Sequence, residues 1–445
     1  MKVSKIIVAT ALLSLATAGS AFAFHDGGVA TCDGCHTMHN SKGNKVMNKV
    51  AGKGSQVIGT ANNYLLQGSD QSSTCLGCHG GTTGGGYKVM TTNAAAGTTV
   101  VKQFTPGGDF GWLLADYSWT SPRNGTSPKD RHGHNVVAAD FGIAPDATLL
   151  TAPGNGSTFV NTDLACSSCH DPHARYRTDT AGVQTLGGAP IAGSGSYGDV
   201  ATAGEARGTY RFLAGVGYKA DSQTTAGTFA APAPVAVAPA VYNQTEAAGN
   251  IRVAYGTGMS EWCSNCHVGL HNSSYPTNLR HPAGDGATLT ASVLGNYNAY
   301  VMTGNLTATA INSYDSLIPF GTQAANVTAL KALVNTANVA GTASNNDAST
   351  AGADASSTVI CLSCHRAHAS GFTQMGRWNF NAEFMTVDGA YADASKPYVA
   401  TDETTYGNYA DGKTAVELAA AYNGKPATHF ASFQRQLCNK CHAKD

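Results

Sequence analysis

Apolar positions in this chain seldom keep a helical or alternating period for long; short hydrophobic clusters are separated by Gly, Ala, Ser, Thr and Asn. Three stretches carry helical spacing: Val327 to Asn335, Ala415 to Tyr422, and Ala427 to Leu437, the last with Phe430, Phe433 and Leu437 on one face. Gly80 to Gly86 and Thr336 to Thr358 are low in complexity, and Ala230 to Val241 alternates Pro and Ala as a polyproline-like connector. No shift in composition marks a domain boundary. The pattern predicts one wrapped unit, mostly loop with short helices and little sheet.

The longest apolar run comes first. Lys2 and Lys5 precede hydrophobic residues from Ile6 to about Ala18, followed by the small-residue site Ala21-Phe22-Ala23. This reads as an export signal over residues 1–23, with the mature chain, 24–445, beginning at Phe24. The run is shorter than the roughly 20 residues that span a bilayer, and nothing later qualifies. The expected product is soluble and lies outside the inner membrane.

Charged residues make up only 12% of the chain, too few to give a long sequence the solvated faces of ordinary amphipathic helices. Losing Lys2 and Lys5 takes the net charge from −1 to −3. That balance makes nucleic acid an improbable partner. The core must come from something other than long helices, and the cysteines show what.

All 12 cysteines fall in six copies of Cys-x-x-Cys-His. These are Cys32/Cys35/His36, Cys75/Cys78/His79, Cys166/Cys169/His170, Cys263/Cys266/His267, Cys361/Cys364/His365 and Cys438/Cys441/His442. Two cysteines one short turn apart can form thioethers to the vinyl groups of one haem, and the adjacent histidine then binds its iron. The competing zinc reading needs paired knuckles at short range, whereas the first cysteines here stand 43, 91, 97, 98 and 77 residues apart. Six covalent c-type haems follow, forming a row that supplies much of the core. They add twelve propionates, which takes the ferric protein to about −9.

Fifteen histidines leave nine outside the motifs, enough for six distal iron ligands with three to spare. Methionine ligation need not be invoked, which favours low potentials. His39, His173 and His368 each follow a motif histidine by three residues, and His271 follows by four. Two axial histidines need Cα atoms roughly 12–13 Å apart, yet three residues reach at most about 10–11 Å. These side chains are therefore barred from their own haem and, as ligands, must serve another. That arrangement would pull neighbouring haems together, as electron hopping requires. His25, near the new terminus, His429, and His132 in a tight turn with His134 are the candidates for the three left over.

Gly193 to Gly198 matches the dinucleotide fingerprint G-x-G-x-x-G but has no preceding strand or following helix, and reads as a loop. No nucleophile elbow, P-loop or zinc-protease motif occurs. A nitrite- or hydroxylamine-type multihaem reductase would need an iron with an open position, and a monomeric periplasmic shuttle would share all the haem chemistry. Neither reading has a motif of its own here.

The blocks GGVATCDGCHTMHNS, TPGGDFGW, CSSCHDPHARYR, GMSEWCSNCHVGLHNSSYPTNLRHPAG, CLSCHRAHASGF and LCNKCHAKD resemble the OmcS-type hexahaem outer-surface cytochromes of metal-reducing bacteria. The resemblance runs over the whole mature chain and departs most after His79 and between Asn335 and Thr358. It implies a multihaem c-type cytochrome with a loop-rich fold around a row of six bis-histidine haems. Such proteins polymerise into conductive extracellular filaments that pass electrons to other multihaem cytochromes and to acceptors such as metal oxides. It implies that His39 ligates the iron held by Cys361 and Cys364 of the neighbouring subunit. His134, His173, His271, His281 and His368 match the other distal ligands.

Overall fold

A computed structural model describes residues 32–37, 41–42, 45–46, 65–83, 87–120, 124–172 apart from 155, 176–178, 184–186, 189–190, 205–206, 212–220, 228–237, 243, 245, 253–270, 282–308, 317–336, 353–391 and 410–442. The export signal, the Gly193 to Gly198 loop and most of Thr336 to Thr358 lie outside these residues. Among the described residues no helix is long and apolar enough to cross a membrane.

Most of the described chain is irregular. Eight short α-helices punctuate it: α1 (Cys32–Cys35), α2 (Gln71–His79), α3 (Met259–Cys263), α4 (Ala291–Ala299), α5 (Val327–Thr336), α6 (Cys361–Cys364), α7 (Ala415–Ala421) and α8 (Asn439–His442). Every described sheet is a two-stranded ribbon. Local chemistry starts the longer helices. The Asp70 carboxylate accepts from Ser73 N at 2.7 Å to open α2, and the Thr414–Glu417 capping box opens α7.

Two of the three expected helices form, as α5 and α7. The third does not. Ala427–His429 makes one 3-10 turn, Phe430 turns extended at φ −114°, ψ 166°, and helix resumes only at Asn439. Here tertiary hydrogen bonds win over a helical apolar spacing. Arg435 pairs with Phe384 as a bridge, Met385 N donates to Gln434 O at 2.7 Å, and Gln434 N donates to Thr386 Oγ1 at 2.9 Å. Phe430 and Leu437 are buried, whereas Phe433 remains 38% exposed. The Pro/Ala connector also ends differently from expectation, since Ala236–Val237 pairs antiparallel with Ala254–Tyr255.

The polypeptide buries aromatic and aliphatic side chains of its own between the haem motifs. The largest cluster joins Leu76, Trp112, Tyr117, Tyr297, Phe320, Phe372, Trp378, Tyr422 and Leu437, drawn from segments far apart in sequence. Beside it lies a buried ionic group. Lys413 is fully buried, its Nζ 4.3 Å from the centroid of the Tyr117 ring. Burial pushes its pKa down to about 8, although Asp411 and Glu417 pull the other way. Burial also opposes charge on Glu417, but donors from Gly97, Thr414 and Tyr117 outweigh it and hold that carboxyl below its usual range.

Because the lysine pKa is depressed in the fold, the unfolded chain binds more protons between about pH 8 and 10.5, and Lys413 makes stability rise with pH across that window. Tyr117 and Tyr422 have raised pKa values and act in the opposite sense above about pH 10. Denaturant unfolding of wild type and Lys413→Met should therefore show the gap moving in favour of wild type by roughly 2–3 kcal/mol from pH 7 to pH 10. A constant gap would place Lys413 in water.

Candidate haem chain

The first, third and fifth motifs fold in the same way. In each, the residue after the motif histidine donates its N–H to a carbonyl returning from later in the chain: Thr37 to Leu65 at 2.6 Å, Asp171 to Phe212 at 2.9 Å and Arg366 to Met375 at 2.8 Å. Each of those carbonyl residues has positive φ, at 51°, 66° and 56°. The next residue bridges the motif histidine, as in His36 with Leu66, His170 with Leu213 and His365 with Gly376. The one after that donates to the second cysteine: Gln67 to Cys35, Ala214 to Cys169 and Arg377 to Cys364. One clamp is thus built three times from unrelated residues.

Even motifs dock on the odd motifs that follow them. The Ser72 hydroxyl, three residues before Cys75, accepts from Cys166 N at 3.1 Å. Ser260, three before Cys263, accepts from Cys361 N at 3.0 Å. Inside the receiving motifs, Ser168 Oγ accepts from Ala165 N at 3.0 Å and Ser363 Oγ from Ile360 N at 3.1 Å. All four serines are buried, so each hydroxyl is held by partners and specifies one register.

The sulphurs run in chain order. In a haem-bearing chain they are thioether atoms, so their positions matter rather than their titration. A hydrogen bond to Cys166 and then burial push the Cys75 thiol well up, with Cys35 also close enough to add. Burial and then Cys266 raise Cys169, while a hydrogen bond to Cys361 and then burial raise Cys263. Burial, then Cys438 and Cys441, push Cys364 up to about 12. Motif one therefore neighbours two, two neighbours three, and so on to six. None of the eleven described cysteines forms a disulfide.

Two of the expected thioether positions depart from a row enclosed in the core, because Cys78 and Cys438 are exposed. At Cys78 the reason is local. Cys75, on α2, is turned towards Cys166, whereas Cys78 lies at the end of that helix, where its backbone is engaged instead: its carbonyl accepts from Lys88 Nζ at 2.6 Å. The polypeptide thus leaves the Cys78 side chain at the surface, and a thioether formed there holds its edge of the second haem at the rim of the row.

Among the described residues no three histidine, cysteine or acidic side chains gather as a metal-ion site; two pairs of histidines face each other instead. The ring centroids of His134 and His267 are 5.8 Å apart, and those of His170 and His368 are 6.3 Å apart. Two iron–nitrogen bonds of about 2 Å plus two imidazole radii would put an axial pair roughly 6 Å apart. Tautomers fit as well. His134 Nδ1 donates to Ala367 O at 2.7 Å, His267 Nδ1 to Pro153 O at 2.9 Å, His79 Nδ1 to Tyr87 O at 2.8 Å and His365 Nδ1 to Gln374 O at 2.7 Å. A carbonyl only accepts, so each Nδ1 carries the proton and each Nε2 keeps its lone pair for a metal. Burial lowers the pKa of all four rings, His134 to about 4 with His267 contributing, which keeps them neutral.

The TPGGDFGW segment supports one of these rings. Phe110 stacks on His368 at 4.8 Å, and His368 N donates to Gly107 O at 2.7 Å. A Cβ on Gly107 would sit 3.3 Å from His368 Nδ1, and one on Gly108, which has φ +99°, would lie 1.9 Å from Ala369 O. His134 N also donates to His368 O at 2.9 Å, tying the two non-motif histidines together. Gly108→Ala should therefore destabilise the fold by ~1–3 kcal/mol and disturb His368. Its effect is read as a high-spin fraction close to one haem in the absorption spectrum.

His132 is buried away from both pairs, its Nε2 2.7 Å from Ser127 Oγ and its ring stacked on Tyr117 at 6.2 Å. His429 is exposed in a 3-10 turn. His25, His39, His173, His271 and His281 lie outside the described residues, as does the Cys32 side chain. Sequence reasoning missed the serines and the repeated clamp. A serine three residues before Cys75 and Cys263 was the available signal.

Six motifs in a row, with paired neutral histidines at the spacing of an iron between them, define a multihaem c-type cytochrome. No protein-family profile matches the chain. It is 49% identical to the C-type cytochrome OmcS of Geobacter sulfurreducens over 452 residues, covering 100% of this chain and 99% of that one. Its structure is similar to that of the OmcS nanowires of the same organism, determined by cryo-EM, with a TM-score of 0.79 at 47% identity, covering 95% of this chain and 100% of that one. A second structure, of the outer membrane cytochrome S filament, is similar with a TM-score of 0.77 at 46% identity and the same coverage. The chain belongs to the OmcS family of c-type cytochromes, and it is an electron-transfer protein rather than an enzyme.

Proposed function

We propose that this chain is the subunit of an extracellular filament that conducts electrons along a continuous row of six bis-histidine c-type haems. In this reading residues 1–23 are an export signal and 24–445 form one wrapped unit. The observation that carries it is a repeat that stops one step short. Even motifs dock on the next odd motif, two on three and four on five. The sixth has no odd motif after it in its own chain, and the first has no even motif before it. Joining the two ends of the row is a heterologous contact, which propagates as an open filament unless it closes into a ring.

The distal histidines follow the same step. His368, three residues after the fifth motif histidine, faces His170 of the third. The equivalent His173 would then serve the first haem, and His39 the fifth haem of the neighbouring subunit, two places back across the junction. His134 serves the fourth haem beside His267. His271, moved by the same two places, serves the second, which leaves His281 for the sixth. Each bound haem supplies a one-electron iron couple; the residues fix its orientation, exclude an open coordination position and set adjacent sites close together. Electrons leave the filament for other multihaem cytochromes or extracellular acceptors such as metal oxides.

Saturation of all six irons separates this reading from a reductase. Carbon monoxide added to the reduced protein should leave the spectrum nearly unchanged, because nine non-motif histidines compete for six places. A carbon monoxide complex at one full haem equivalent would overturn it.

A further inference from the structure

The three repeated clamps differ in buried charge. The position after the motif histidine is Thr37 in the first, Asp171 in the third and Arg366 in the fifth, at 8%, 4% and 1% exposure. Each side chain leaves the backbone from the same place, next to an axial histidine and bonded to a positive-φ carbonyl residue. A second clamp position repeats the contrast, with Gln67 in the first, Ala214 in the third and Arg377 in the fifth. Arg377 is buried, and its Nε donates to Leu362 O at 2.5 Å and to His365 O at 3.1 Å. Its positive charge acts on both Cys364 and His365. Arg366 Nη1 reaches Pro106 O at 2.8 Å.

We infer that these two clamp positions set the potentials of the odd-numbered haems, so that the fifth is held above the first and the first above the third. The reasoning is electrostatic. Reduction adds an electron to the iron, so a nearby cation favours the reduced form and a carboxylate favours the oxidised form. Buried charges are screened by salt far less than surface ones. Other determinants of potential are matched as far as the fold can match them: the same clamp, the same backbone bonds and the same bridge recur in all three units. Guanidinium keeps its charge at every working pH, so the elevation of the fifth haem does not depend on a titration. The consequence is a row whose steps are uneven, with a low site in mid-subunit and a high site next to the junction.

The inference rests on six haems occupying the motifs, and that premise is measured separately by intact mass of each purified variant. Spectroelectrochemical titration of the purified protein resolves the haem reduction steps. Arg366→Met and Arg377→Met should each move one step to lower potential by about tenfold in its reduction equilibrium, which is about 59 mV for a one-electron couple. Asp171→Asn should move one step upward by a similar factor. Arg366→Lys, which keeps the charge, should leave the curve in place. A mass lacking haem in the unmodified protein would overturn the six-haem premise. With six haems present, unchanged curves in both arginine variants or shifts of the opposite sign would overturn the assignment of potentials. A shift in Arg366→Lys as large as in Arg366→Met would also overturn it, by showing that packing rather than charge was responsible.

Discussion

His39→Ala should leave six haems attached but yield short filaments or monomers, with one iron per subunit high-spin or bound by a substitute ligand. Chain reach bars His39 from its own iron, since three residues extend at most about 10–11 Å. The repeat then points it outward. His368 stands in the same relation to its motif and faces His170, two motifs back; two places back from the first motif is the fifth motif of another subunit. A coordinate bond across the junction would hold two haem rows in register, and its loss removes a directional contact that surface burial alone does not replace. Electron microscopy combined with spin-state spectroscopy checks the prediction. Full-length filaments carrying six low-spin haems would show that His39 is not the bridging ligand.

Expressed without haem-attachment machinery, the same chain should be protease-sensitive and unfold without a cooperative transition. Its longest described helix has ten residues, below the roughly 12–15 at which isolated helices become even marginal, and its described sheets are two-stranded ribbons that are marginal alone. The described buried side chains fall into four separate clusters rather than one continuous core. The odd clamps close loops of very different length, and each brings only a few backbone bonds to offset the entropy of ordering the segment between. A haem held by two thioethers and two histidines from distant segments supplies what those loops lack. Limited proteolysis and thermal unfolding of the haem-free chain provide the measurement, and a single sharp transition would show that the polypeptide core suffices.

How much of this was legible beforehand can be followed residue by residue. Cys-x-x-Cys-His is a local chemical unit, so its six copies named the cofactor, the number of sites and the proximal ligands without any fold. That unit says nothing of depth: Cys75 and Cys78 belong to one motif, yet the first is packed towards Cys166 and the second is exposed. The helices at 327 and 415 were equally local, being set by apolar spacing and, at Thr414, by a capping box. The Ala427 to Leu437 stretch had the spacing of a helix but was decided by Thr386 and Phe384, which lie some fifty residues earlier and bond to Gln434 and Arg435. His132 and His134 look alike in sequence. Only packing separates them, one against Ser127 and Tyr117, the other opposite His267.

The sequence by itself determined what this protein carries, because thioether and iron chemistry need only neighbouring residues. It also fixed one negative fact, that His39, His173 and His368 are too near their own motifs to close over them, because bond lengths bound the reach of three residues. The tertiary structure alone decided the order of the row, the facing of His368 on His170, and the burial of Asp171 and Arg366 at matching places. Those depend on hydrogen bonds between segments tens to hundreds of residues apart, such as Ser72 with Cys166 and Ser260 with Cys361, and no local pattern records where a hydroxyl will find its distant N–H.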